Sequence, residues 1–168
     1  MGWEANGGFL TASVVRQGAR ELRPLPTRDA VLPILCALYA AVEADCPLVD
    51  LFESLAPRYS KAGLIDDFAR ETSLDIIRRF TPGNFDAICE ALAMTFTKQL
   101  GFDDVVDINV LDGLRIRFRN GDIAHIRPSG NAPQLRIYAV ADTQARAEEI
   151  VALALAEPDG LLRRLAVD

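Results

Sequence analysis

The chain has 168 residues, of which half are apolar and a quarter are charged, and its formal net charge is −6 at pH 7. This length allows one domain, or one domain with part of another, and the composition is that of an ordinary globular protein. The acidic charge argues against nucleic acid or a membrane surface as the main partner, so any anion site must be a local basic pocket.

The cysteines and the apolar runs indicate a cytoplasmic protein. The three cysteines, Cys36, Cys46 and Cys89, do not have metal-ligand spacing. An odd, scattered set of thiols is typical of a reducing compartment. The sequence does not open with a signal-peptide pattern, and its longest apolar run, residues 30–42, is interrupted by a proline and is too short to cross a bilayer.

The first third of the sequence is predicted to form a strand, a loop and two helices. The strand covers residues 9–15, and the loop covers residues 16–27, which are polar and contain two prolines. A helix is expected over residues 29–42, and a second helix begins at Pro47, because apolar residues recur there at helical spacing. We place a domain boundary after residue 58, where a proline-containing segment ends this part.

Residues 59–168 are predicted to form an α+β domain. In chain order, the predicted strands cover residues 61–68, 76–80, 105–110, 114–119, 122–126 and 135–141. One helix is expected over residues 81–100 with Gly101 at its C-terminal end, and Asp142 is expected to cap a final helix. This order predicts a mostly antiparallel sheet with the helices packed on one face.

One hairpin decides where the only histidine lies. Asn120-Gly121 is the strongest turn signal in the sequence. With a two-residue turn, His125 would pair with Ile116 on the face that carries Phe118, which predicts a core or edge histidine rather than a general base. Cys36 and Cys89 lie on apolar helix faces and are also predicted to be in the core.

A turn of Pro, Ser, Gly, Asn and Pro lies between two strand-like stretches and is bracketed by Arg127 and Arg136. Serine and glycine allow backbone N–H groups to converge on an anion, and arginines supply planar donor forks. The alternative is a plain β-turn, since these are generic turn residues. The two arginines favour the anion site, whereas Arg115, Arg117 and Arg119 are expected to form a solvated strand face.

Residues 127–136 resemble the phosphate-binding loop of the α-D-phosphohexomutase family, whose usual form is R-x-S-G-T-E-P-x-x-R. This family includes phosphomannomutases, phosphoglucomutases and phosphoglucosamine mutases. The chain departs from the usual form with Asn131 in place of Thr and Ala132 in place of Glu. The resemblance implies that the phosphate that is not transferred is bound by Arg127, Ser129, Gly130, Asn131 and Arg136.

A second segment, Glu4-Ala5-Asn6-Gly7-Gly8, is similar to the sugar-specificity loop of the family's third domain, commonly G-E-x-S-G-H. The resemblance implies that Glu4 and Asn6 bind sugar hydroxyl groups, and Gly8 stands where His is usual. Residues 1–58 would then be an α/β remnant of the third mutase domain and residues 59–168 the fourth. We expect the chain to be a C-terminal piece of a longer protein.

The family's chemistry moves a phosphoryl group between the 1- and 6-hydroxyls of a hexose. It uses a phosphoserine in a T-A-S-H-N loop and a Mg²⁺ ion held by a D-x-D-x-D-R loop. Neither loop occurs in this sequence, because Thr11-Ala12-Ser13 is followed by Val14 and Val15. We therefore expect no catalytic residue and no metal ligand in this chain, no activity of the chain alone, and Mg²⁺ only in the full-length parent.

The resemblance also implies partners. These are a hexose phosphate and the missing N-terminal mutase domains, and truncation is expected to permit self-association through residues 1–58. Two alternatives stay open at this point. One is a stand-alone, non-catalytic module that binds a sugar phosphate or another protein, and the other is a piece of a phosphoglucosamine mutase.

Overall fold

The computed structural model describes residues 2–3, 8–81 and 83–167, except for the side chains of Trp3 and Pro26. It divides into two compact units, Met1–Ala56 and Pro57–Asp168, which we call unit 1 and unit 2. Among the described helices, none has both the length and the apolar character needed to cross a membrane.

Unit 1 contains a small antiparallel sheet, a hairpin and two helices. The sheet has the order β1-β2-β5, with β1 at Gly2–Trp3, β2 at Phe9–Thr11 and β5 at Leu25–Asp29. The hairpin pairs β3 (Val15–Gln17) with β4 (Arg20–Leu22). Residues 16–27 were predicted to be a loop, which is wrong. Gly18 adopts φ +59 and so closes a tight turn, and β5 tolerates its proline because it is an edge strand.

The helices of unit 1 lie where they were predicted, and they expose much apolar surface. Helix α1 covers Val31–Glu43 and helix α2 covers Leu48–Glu53. The carboxylate of Asp29 accepts hydrogen bonds from the first N–H groups of α1, which confirms the predicted helix start. Cys36 was predicted to be in the core, but it is exposed on α1.

Unit 2 is an α+β domain, as predicted. Its antiparallel sheet has the order β6-β10-β9-β8-β7. The strands are β6 at Tyr59–Ile65, β7 at Val105–Asn109, β8 at Leu114–Phe118, β9 at Ile123–Pro128 and β10 at Leu135–Ala141. The helices are α3 at Arg70–Arg79, α4 at Phe85–Thr95, α5 at Gln144–Leu155 and α6 at Leu161–Val167.

One face of this sheet forms the core of unit 2. Alternate residues of β8, β9 and β10 are fully buried and pack against apolar residues of the helices. The other face carries polar and charged residues of the same strands, because successive side chains of a strand point to opposite faces. We call this second face the open face, and it carries Arg115, His125, Arg127, Arg136 and Tyr138.

Two predictions about the helices of unit 2 were wrong. Residues 76–80 were predicted to be a strand, but residues 76–79 form the end of α3 and Phe80 is its C-terminal cap; the buried residues Ser73, Ile76 and Phe80 recur at helical spacing. The cap of α5 is Thr143, whose hydroxyl accepts from the Arg146 N–H. Asp142, the predicted cap, instead forms an ion pair with Arg58.

Gly101 has the left-handed φ of +79 expected of a C-terminal cap, although it ends a short 3-10 helix, Lys98–Leu100, rather than α4 itself.

The β8–β9 hairpin differs from the prediction by one residue in register. The Phe118 N–H donates to the Asp122 carbonyl, so the turn contains three residues rather than two. A shift of one residue moves every side chain to the opposite face. His125 therefore pairs with Arg115, not Ile116, and lies half-buried on the open face rather than in the core.

Candidate functional site

The arginine-bracketed segment forms the connection between β9 and β10. Arg127 and Arg136 are direct cross-strand partners in these two strands, so their side chains share the open face. Residues 129–134 form the loop that joins the strands, and we call it the anion loop. Cβ atoms of directly opposite residues are about 5 Å apart, which brings the two guanidinium groups to the base of this loop.

Arg127 is held by the turn between β7 and β8. Its Nε lies 3.0 Å from Oδ1 of Asp112, and both side chains are about half exposed. The ring Nε2 of His125 donates to the Asp112 carbonyl at 2.6 Å. The next residue, Gly113, has φ +92 and passes so close to β9 that an added Cβ would lie 2.3 Å from the Ile126 carbonyl oxygen. This turn therefore fixes a carboxylate beside Arg127.

Arg136 is held from the anion loop itself. Its Nη2 donates to the hydroxyl of Ser129 at 3.3 Å and to the side-chain carbonyl of Gln134 at 3.2 Å. Ser129 is buried, with 6% exposure. The Nε of Arg136 is also buried and has no hydrogen-bond partner among the described residues. Buried donors are nearly always paired in native proteins, so this unpaired donor is notable.

The backbone of the anion loop leaves several donors free. Within the loop, the Ser129 N–H donates to the Gln134 carbonyl at 2.9 Å, and the Gln134 N–H donates to the Ala132 carbonyl at 2.8 Å. The N–H groups of Gly130, Asn131 and Ala132 make no hydrogen bond to another described residue. Successive free N–H groups in a turn form a concave site that suits an anion.

Three contacts join the anion loop to the connection between β6 and α3. The Phe68 N–H donates to the Pro133 carbonyl at 2.9 Å. The side-chain amide of Gln134 donates to the Asp66 carboxylate at 2.7 Å, and Arg70 Nη1 donates to the Gly130 carbonyl at 3.0 Å. No local sequence signal predicts these contacts, because the partners lie sixty or more residues apart along the chain.

The rest of the open face is polar, and its positive charges are partly neutralised by a neighbouring carboxylate. Arg115 and Arg117 lie 3.9 Å and 3.8 Å from the carboxylate of Asp107, which agrees with the predicted solvated strand face. Beside Arg136, the edge of the sheet has a depression of about 210 Å³ lined by Leu64 and Tyr138 among others.

Glu4 and Asn6, which were predicted to bind sugar hydroxyls, lie outside the described residues. Among the residues that the structure describes, no group of three or more His, Cys, Asp or Glu could hold a metal ion. Cys89 is half-buried, and burial followed by the charge of Asp86 raises the pKa of its thiol, which disfavours the nucleophilic thiolate.

Comparison with known proteins gives a consistent result. Residues 79–157 match the family model described as phosphoglucomutase/phosphomannomutase, C-terminal domain. A phosphomannomutase of Salmonella muenchen is 38% identical over 165 residues, which is 97% of this chain and 32% of the relative. A phosphomannomutase of Sinorhizobium fredii is 40% identical over 158 residues, which is 93% of this chain and 31% of the relative.

A weaker match covers less of the chain. A probable phosphoglucosamine mutase of Methanothermobacter thermautotrophicus is 37% identical over 65 residues, which is 39% of this chain and 14% of the relative.

The chain belongs to the α-D-phosphohexomutase family and contains its C-terminal domain. It spans about a third of the length of the two phosphomannomutases.

Proposed function

We propose that the chain forms the phosphate-binding end of a phosphomannomutase/phosphoglucomutase that interconverts hexose 1-phosphate and hexose 6-phosphate. The observation that carries this proposal is the pair of directly opposite arginines, Arg127 and Arg136, at the base of a loop with free N–H groups. The residues proposed to bind the phosphate that is not transferred are Arg127, Ser129, Gly130, Asn131 and Arg136.

The electrostatics of the site support an anionic ligand. Like charges directly opposite each other on neighbouring strands destabilise a sheet. Asp112 offsets the charge of Arg127, whereas the partners of Arg136 among the described residues, Ser129 and Gln134, are neutral. A phosphate would compensate both guanidinium groups and accept from the free loop N–H groups, which are charge-assisted hydrogen bonds of the strong kind.

The phosphate contacts would act at a distance from the reacting hydroxyl. Binding energy from the non-reacting end of a substrate positions the other end for reaction. Glu4 and Asn6 are proposed to bind the sugar hydroxyls, on the resemblance alone. Residues 1–58 and 59–168 are proposed to correspond to the third and fourth mutase domains.

The remaining parts of the reaction would come from elsewhere in the protein. The two phosphomannomutase relatives are about three times as long as this chain. Further N-terminal domains in the full-length protein would supply the phosphoserine and the Mg²⁺ site. Mg²⁺ would balance phosphate charge there, and the described residues of this chain include no group of three or more His, Cys, Asp or Glu that could hold it. We propose a cytoplasmic location, and no turnover by the chain alone.

A calorimetric titration with four ligands tests this function. Mannose 1-phosphate, glucose 1-phosphate and inorganic phosphate should each bind the chain, and unphosphorylated mannose should not. A chain that binds mannose as well as mannose 1-phosphate, or that binds none of the four, would contradict the proposal. Adding glucosamine 1-phosphate distinguishes the phosphoglucosamine mutase alternative, which predicts that this ligand binds tighter than the other two sugar phosphates.

A further inference from the structure

Arg70 is the first residue of α3, and its Nη1 donates to the carbonyl of Gly130 at 3.0 Å. Sequence motifs do not single out this residue, and it belongs to neither of the two strands that carry Arg127 and Arg136. Its position is electrostatically unfavourable for the helix itself, because the N-terminal end of a helix carries partial positive charge. A cation there needs another reason, and the contact with the anion loop supplies one.

The carbonyl that Arg70 holds belongs to Gly130, one of the residues proposed to bind the phosphate. A peptide unit is planar and trans, so its C=O and the N–H of the next residue point in opposite directions. By holding the Gly130 carbonyl, Arg70 therefore also fixes the direction of the Asn131 N–H. A carbonyl oxygen turned toward a phosphate would repel it, so this hydrogen bond keeps an acceptor away from the anion and directs a donor toward it.

The same connection fixes two further points of the loop. The Phe68 N–H holds the Pro133 carbonyl, and the Asp66 carboxylate accepts from the side chain of Gln134. The same Gln134 side chain also accepts from Arg136. Residues 66–70 thus contact the loop at Gly130, Pro133 and Gln134, and the contact at Gln134 reaches one of the two bracketing arginines.

We propose that Arg70 is a positioning residue of the phosphate site, which orients the anion loop through the Gly130 carbonyl. This inference rests on the proposed phosphate-binding function and extends it to a residue outside the family's loop. Arg70 is exposed, so its removal should leave the core of unit 2 intact.

The test compares Arg70→Met and Arg70→Lys with Arg79→Met in the 168-residue chain. Arg79 is exposed at the other end of the same helix, so its loss changes the net charge equally. Inorganic phosphate is titrated by calorimetry, and amide hydrogen exchange is followed without ligand at Phe68, Ser129 and Gln134, whose N–H groups are hydrogen-bonded in or to the loop. We expect Arg70→Met to weaken phosphate binding about three- to tenfold and to speed loop exchange, since a charge-assisted hydrogen bond is lost.

The expected pattern has two further parts. Arg70→Lys should restore part of the affinity, because it keeps the charge and one donor, and Arg79→Met should match the wild type. The thermal midpoint should be unchanged in all three variants, which separates positioning from a purely structural role. Equal affinity and equal loop exchange in Arg70→Met and Arg79→Met would overturn the inference. Absence of phosphate binding in the wild type would instead overturn the proposed function, and loop exchange would still decide whether Arg70 orients the loop.

Discussion

The Nε of Arg127 and the Oδ1 of Asp112 lie 3.0 Å apart, so one of the two arginines at the anion loop already has a carboxylate partner. Arginine can bind an acceptor at Nε and another at its Nη groups, because its donors are arranged as a fixed fork. Asp112 can therefore hold Arg127 in place while leaving donors for a ligand. Its negative charge also opposes a phosphate bound nearby.

Replacing Asp112 by Asn separates these two effects. The amide keeps an acceptor for Arg127 but removes the charge, so we expect phosphate to bind about two- to fivefold tighter, with the gain shrinking at high salt. Asp112→Ala removes both the acceptor and the charge, and should give a smaller gain. Calorimetry at two salt concentrations measures this, and weaker binding in Asp112→Asn would show that the charge of Asp112 is not the opposing factor.

Gly113 and Gly130 form a matched pair of glycines for testing the turn that holds Asp112. An alanine at Gly113 would combine a φ of +92 with a Cβ 2.3 Å from a backbone carbonyl oxygen. We expect Gly113→Ala to cost about 2–3 kcal/mol of unfolding free energy and to weaken phosphate binding. At Gly130, an added Cβ meets no described atom within 4 Å.

Urea unfolding followed by circular dichroism compares the two variants. Gly130→Ala should unfold at the wild-type urea concentration, so any loss of phosphate binding in it would come from the site alone. A Gly113→Ala chain as stable as the wild type would contradict the close approach of the turn to β9.

The fold of unit 2 should depend on one largely buried ion pair. Arg146 Nε lies 2.9 Å from Oδ2 of Asp122, and their side chains are 17% and 6% exposed. Asp122→Ala would leave a guanidinium without its main buried partner, and we expect a loss of about 3 kcal/mol in unfolding free energy. Asp75→Ala, which breaks an exposed pair with Arg78, should cost less than about 1 kcal/mol. Equal costs in urea unfolding would contradict this difference.

The exposed apolar residues of helix α1 lead us to expect self-association of the chain. Ile34, Leu38 and Val42 recur on one face of α1 and are 59%, 47% and 76% exposed. An exposed apolar stripe of this kind marks a contact surface. We expect the mass measured by sedimentation equilibrium to rise with concentration in the wild type. In Leu38→Lys, the mass should stay at the monomer value at every concentration.

Leu111 provides the control for that experiment. It is 92% exposed in a turn of unit 2, so Leu111→Lys adds the same charge away from the helices and should associate like the wild type. A wild-type chain that is monomeric at all concentrations would contradict self-association through α1.

Local signals in the sequence predicted much of unit 2. The strict alternation in β8, the glycine at 101 and the apolar spacing of α5 each depend on neighbouring residues, so they could be interpreted without the fold. Helix α3 was missed because Ile76, Ile77 and Phe80 form a short apolar cluster that also suits a strand. The register of His125 was missed because the hairpin turn has three residues rather than two.

The candidate site was predictable only in part, for a similar reason. Arg127 and Arg136 stand out because they bracket a turn within one short segment. Asp112 and Arg70 reach this segment through a neighbouring turn and a distant helix, and only the folded chain brings them together. Contacts of this kind depend on tertiary structure, and a single sequence does not reveal them.

The central claim is that Arg127 and Arg136 bind a phosphate group, and one measurement tests it directly. Mannose 1-phosphate is titrated by calorimetry into the wild-type chain and into Arg127→Ala, Arg136→Ala and, as a control of equal charge, Arg79→Ala. We expect each of the first two variants to lose about tenfold or more in affinity, and the control to bind like the wild type. Equal affinities in all four chains would contradict the claim.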